Sequence, residues 1–198
     1  MDWPTVDARM WQAIIAGAFV AVGWIVNGWQ NRRDAAARRA ERLRDSHRAI
    51  YAEIGANLFN LGSEKALMAN ADAVRQRMTE DASFVPFVPT ERRSPVFDAM
   101  REHIHILPRV TIDPIVAYYA QVGAVAALAD DMRGVRFRTL SPDRRTAIYD
   151  DYIGMKVQAL SFGDFALRMI AAYAEGGKDA AEALSRRINS SDADPSDP

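Results

Sequence analysis

MWQAIIAGAFVAVGWIVNGWQNRRDAAARRAERLRDSHR, residues 10–48, joins an uncharged apolar run to an arginine-rich one. No charged residue lies between Arg9 and Arg32, and within 10–29 Gln12 and Asn27 are the strongly polar side chains. Twenty helical residues rise about 30 Å, the thickness of a bilayer's hydrocarbon core. Trp11 and Trp29 stand about 27 Å apart along such a helix, so each indole can anchor at one headgroup boundary. A cleaved signal peptide would need a basic leader and a small-residue cleavage site, whereas Asp2 and Asp7 precede the run and Trp29 with arginines follows it. A soluble core helix would carry a polar stripe, and residues 13–26 carry none. The segment is expected to be a single transmembrane helix.

Its direction follows from charge. Arg32, Arg33, Arg38, Arg39, Arg42, Arg44 and Arg48 stand against Asp34, Glu41 and Asp45 immediately beyond the span. Arginines in that position are retained on the cytoplasmic side. The expected location is therefore a bacterial inner (plasma) membrane, with a short N-terminal tail (1–9) outside and the C-terminal body in the cytoplasm. The same arginines are candidates for contact with anionic lipid headgroups. Ala13, Gly17 and Ala21 recur every four residues, and small residues at that spacing let two spans approach closely. With Asn27 as a hydrogen-bonding group near the inner boundary, they are the candidate helix–helix contacts.

Beyond the span, residues 30–62 read as a helical stalk without proline. Ala36, Ala40, Leu43, His47, Ile50, Ile54, Asn57 and Leu61 alternate four-three spacing, a coiled-coil seam with weak core residues. Tyr51 and Leu58 widen the stripe from Ile50 onward, so 50–61 are expected to pack on a globular body. Gly62 supplies a helix stop and Ser63 an N-cap for a helix over 64–80, with Leu67, Met68, Ala71, Val74 and Met78 inward. The FVPFVP segment, with Pro86 and Pro89, predicts a loop. Ser94–Pro95, Asp113–Pro114 and Ser141–Pro142 each pair a capping residue with proline at a first helical position. The helices so started end at Leu107–Pro108, near Met132 and near Tyr173. Gly154 and Gly163 within the last of these suggest close packing or a kink, and Gly176–Gly177 its end. A further short helix over 178–188 and a disordered acidic tail over 189–198 complete the reading. The fold class is all-α: a membrane helix, a stalk, and a bundle of about four to five helices over 63–188.

The 198-residue chain carries a net charge of −1 and no cysteine, which excludes disulfides, Cys-ligated metal sites and thiol chemistry. His103 and His105 are two residues apart and diverge by about 200° on a helix, so they make a poor metal pair. His47 falls on the stalk seam as a half-exposed structural histidine. Asp130–Asp131 and Asp150–Asp151 read as solvated helix faces. Gly176–Gly177–Lys178 lacks the upstream glycine, the Ser/Thr and the preceding strand of a phosphate loop. No catalytic motif, cofactor site, metal site or small-molecule substrate is identified, and the expectation is a protein that is not an enzyme. Nucleic acid is not an expected partner, because the arginines are held at the membrane and lack interleaved stacking aromatics.

The run GWIVNGWQNRRDAAARRAERLRDSHRAIYAEI resembles small uncharacterised single-span membrane proteins of proteobacterial genomes and prophage-like regions. The resemblance is carried by a span ending in Asn-Gly-Trp-Gln and an arginine-rich juxtamembrane helix, and covers residues 11–54. It implies a helical cytoplasmic region and no particular activity. The expected function is a membrane-anchored interaction or scaffold protein. Its expected partners are the lipid bilayer and either a second copy or another membrane protein. The alternative is a phage-associated, membrane-perturbing factor of the lysis type.

Overall fold

The computed structural model describes residues 8–91 and 94–192; the side chains of 8–16, 18, 20, 21 and 189 lie outside that description. Every regular element among the described residues is helical. The elements are α1 (Ala8–Leu61), α2 (Glu64–Glu80), α3 (Pro95–Met100), a 3-10 turn (Arg101–Ile106), α4 (Arg109–Arg133), α5 (Val135–Arg138) and α6 (Pro142–Asp192). Two compact units divide at Arg44/Asp45, within α1. The first is a helical segment. The second holds the core.

In the second unit α4 and α6 form the central pair and run antiparallel, Tyr118 lying at Gly163 and Gln121 bonding the Met155 carbonyl. Val125, Ala129 and Met132 of α4 meet Tyr149, Tyr152 and Ile153 of α6, and Ala71 and Met78 of α2 with Val88 of the loop close that end. At the other end Ile50 and Ile54 of α1 are completely buried, as is Ile115 of α4. Among the described residues, which leave out most side chains of 8–21, α4 is the one helix long and apolar enough to cross a membrane. Its apolar face is instead occupied by α6, and Thr111, Tyr118 and Tyr119 are buried along it.

Several local signals act as read. The Gly62 N–H bonds the Leu58 carbonyl at 3.0 Å with φ +80, the left-handed C-cap that glycine adopts without steric cost. Ser63 Oγ accepts the Ala66 N–H at 3.2 Å and starts α2. Proline-rich 84–89 is irregular, and Ser141 precedes α6. Gly176 and Gly177 are non-helical, so α6 comprises two runs, 142–175 and 178–192.

Others are corrected. Ser94 precedes α3, but its side chain makes no cap bond. The Asp113–Pro114 start is overtaken by α4 beginning at Arg109. The Pro108 carbonyl accepts the N–H groups of Thr111 (2.9 Å) and Ile112 (3.0 Å), so Pro108 caps the helix and Pro114 sits inside it. Having no N–H, Pro114 forgoes one helical bond, and its buried ring contributes packing instead. Tyr51 and Met68 point outward. Inward packing begins earlier than Ile50, with His47. The last helical run continues to Asp192, beyond the expected start of the tail; residues 1–7 and 193–198 lie outside the described residues.

Candidate functional site

In the first unit, helix formation needs no tertiary support to be explained: alanine, arginine, leucine and glutamate populate 34–44. Toward its N-terminal side the same helix presents Phe19 (76% exposed), Trp24 (81%) and Ile25 (71%). At about 100° per residue these three lie roughly 140° and 240° apart around the axis, so no single face gathers the apolar groups. Val22, Val26 and Trp29 are exposed as well. Asn27 is exposed, and Gly17 has open space where a Cβ would stand. Trp11, Ala13 and Ala21 belong to α1 by backbone, and their side chains lie outside the described residues.

All seven arginines between Arg32 and Arg48 are exposed. Arg32 Nε donates to the Gly28 carbonyl at 3.2 Å, and the Arg33 guanidinium lies 5.6 Å from the Trp29 ring centroid. A guanidinium at that distance is attracted by the indole face. Asp34, Glu41, Arg38, Arg39, Arg42 and Arg44 make no salt bridge among the described residues.

The second unit is organised by two carboxylates that sequence patterns did not single out. Glu53 of α1 accepts the N–H groups of Val96 (2.8 Å) and Phe97 (3.0 Å), capping α3 in place of Ser94. It also accepts the Tyr119 hydroxyl at 2.7 Å, and the Tyr119 ring stacks on Phe97 at 3.8 Å and 10°. Burial, then the bond to Glu53, pushes the Tyr119 hydroxyl well above the ordinary phenol range. Glu91 accepts the Tyr152 hydroxyl and pairs with Lys156 at 2.9 Å, while Lys156 donates to Tyr152 at 2.8 Å. Burial, followed by Glu91, likewise raises the Tyr152 hydroxyl. Both tyrosines are held as neutral hydrogen-bond donors, an arrangement that ties helices and loops together. The hint available in sequence was an acid, Glu53, set between the apolar Ile50 and Ile54; nothing local marked Glu91.

His47 is buried, 6% exposed, not half-exposed as its place on the seam suggested. Its Nε2 meets Thr111 Oγ1 at 2.9 Å and its ring lies 5.2 Å from that of Tyr173, so it packs within the body. Burial lowers its pKa. His103 and His105 are exposed with ring centroids 6.4 Å apart, and no group suited to hold a metal occurs among the described residues. All four aspartates of the two pairs are exposed, Asp150 pairing with Arg75 at 2.5 Å and Asp130 with Arg133.

A groove of about 640 Å³ runs between the start of α4 and both runs of α6. Phe162, Phe165 and Met169 line its floor, with Arg109, Asp113, Lys178 and Glu182 around it. Its four charges cancel, and Lys178 already pairs with Glu182 at 3.3 Å. No family model, curated protein or solved structure shows significant similarity to the chain.

Proposed function

We propose that the chain is a single-span membrane protein whose helical body works as a cytoplasmic interaction or scaffold module. What carries the reading is the exposure of Phe19, Trp24 and Ile25 on different sides of one uncharged helical run. Exposed apolar groups distributed all round a helix call for lipid on all sides, whereas a soluble helix confines them to one stripe. In this reading residues 10–29 span the bilayer of a bacterial inner membrane, with Trp29 at the inner boundary. Seven arginines then hold the body inside. The buried hydroxyl networks of Glu53 and Glu91 support a rigid recruiting body over a reactive centre, because each charged group there is consumed by a structural partner.

Carbonate extraction of host membranes tests the anchor: the chain stays with the pellet, and release into the supernatant refutes it. The absence of native cysteine allows a direct topology test with single-cysteine variants. Thr5→Cys in intact cells is labelled by a membrane-impermeant maleimide, and Ser161→Cys only after permeabilisation. The reverse pattern overturns the orientation.

A further inference from the structure

We infer that the stalk just beyond the span, residues 30–44, is a docking surface for an acidic amphipathic helix of a partner protein. The inference rests on the membrane-anchored reading and names the partner class that reading leaves open. Four-three spacing runs through Trp29, Arg33, Ala36, Ala40 and Leu43, so these residues share one seam. Ala36 and Ala40 are exposed on it, small enough to admit larger side chains from a facing helix. Arg39 and Arg44 flank the seam on opposite sides, in the positions that choose coiled-coil partners by charge. Asp34 and Glu41 lie within about 20° of each other, some 130° round the helix from the seam centre. Acid is therefore kept off the contact face while cation borders it, and neither flanking arginine has a salt-bridge partner among the described residues.

A second copy is a poor occupant. Two copies inserted in the same direction would pack in parallel, setting Arg33 against Arg33 across the seam and Arg39 beside Arg44 of the neighbour; like charges in those places repel. Lipid is a poor occupant for most of the cluster. With Trp29 at the boundary, Arg32 and Arg33 stand about 5–6 Å beyond it, within a headgroup layer of roughly 5–8 Å. Arg39 and Arg44 stand about 15 and 22 Å beyond it, past that layer. An acidic helix fits both halves of the surface: its apolar side chains fill the space over the alanines, and its glutamates meet the arginines.

The test uses the full chain in nanodiscs of zwitterionic phosphatidylcholine, with a labelled heptad peptide carrying leucine and isoleucine on its seam and glutamate on its flanks. Binding is read by fluorescence anisotropy. The expected result is saturable, salt-sensitive binding that the double variant R39E/R44E weakens at least tenfold. R38E/R42E, an equal charge change away from the seam, weakens it less than threefold. Equal loss in both variants overturns the proposal in favour of unspecific charge attraction. Disulfide-linked chain dimers formed by Ala40→Cys in host membranes overturn it in favour of a second copy. Stronger binding of the nanodisc-embedded chain to vesicles rich in phosphatidylglycerol than to the peptide, lost equally in R39E/R44E, overturns it in favour of lipid. Carbonate extraction of each variant separates a failed anchor from a failed docking surface.

Discussion

Gly163 of α6 lies against Leu58 of α1 so closely that a Cβ on the glycine would stand 2.6 Å from Leu58 Cδ2. The same Cβ would stand 2.9 Å from Cε2 of Tyr118, a ring that is 1% exposed and has little room to move. Three helices thus meet at one missing methyl group. Gly163→Ala should destabilise the body by about 1–3 kcal/mol, the usual cost of overpacking a filled core. Gly154, on the same helix, is exposed with open space around its missing Cβ. Gly154→Ala should stabilise by up to about 1 kcal/mol through helix propensity alone. Urea unfolding of the detergent-solubilised chain, followed by circular dichroism, reads both; equal and same-signed effects would refute the packing argument.

The Glu53 carboxylate should be worth more than any one of its contacts. Glu53→Ala strands the Val96 and Phe97 N–H groups and the Tyr119 hydroxyl together. Losing charged acceptors from buried donors predicts a loss of about 2–4 kcal/mol, against about 1–2 kcal/mol for Tyr119→Phe, which removes one bond. The double variant should fall short of the sum, because Tyr119 has no acceptor left to lose once Glu53 is gone. Additive losses in the unfolding midpoints would show the two residues to be energetically independent.

His47 should make the body acid-sensitive. Its folded-state pKa is lowered from 6.5 by burial, so the unfolded chain binds the proton more readily. Stability from the neutral ring is complete above about pH 6.5 and declines as pH falls below it. Thermal unfolding between pH 7.5 and 5 should show a falling midpoint, and His47→Gln should flatten that slope while lowering the midpoint at pH 7.5. His103→Gln and His105→Gln, both at exposed positions, should leave the slope as it is. An unchanged slope in His47→Gln would assign the acid sensitivity elsewhere.

These residues also mark what was legible without coordinates. Gly62 and Ser63 act within four residues of themselves, through a left-handed turn and a side-chain cap, so local chemistry predicts them. The all-helical class follows from many such signals in series. Glu53 works on groups 43, 44 and 66 positions away, and no local pattern encodes that reach. Pro108 misled for a related reason: Leu107–Pro108 both closes one helical stretch and caps the next, so α4 begins before Asp113–Pro114 can start it. His47 kept the seam position its spacing assigned, but the seam faces Thr111 and Tyr173 of its own chain, which spacing cannot reveal.

Gly177 should decide whether the final helical run docks at all. Its backbone, at φ 66 and ψ −155, lies in a region essentially reserved for glycine. Forcing alanine there costs on the order of 1–3 kcal/mol. The adjacent Gly176 has a different constraint: a Cβ on it would approach Ala180 Cβ to 2.7 Å. What the break achieves is the return of 178–185 toward 162–169, where Ala181 is completely buried and Lys178, Glu182 and Ser185 form one wall of the groove beside Phe162 and Phe165. Strain at Gly177 should be relieved by releasing this run while the α4–α6 pair stays folded. Hydrogen exchange on Gly177→Ala should therefore show lost protection over 178–188 and unchanged protection over 118–132. Wild-type protection at 178–188 would mean that contacts at Ala181, and not the glycine, set the turn. Lost protection in both segments would mean that the run is integral to the core.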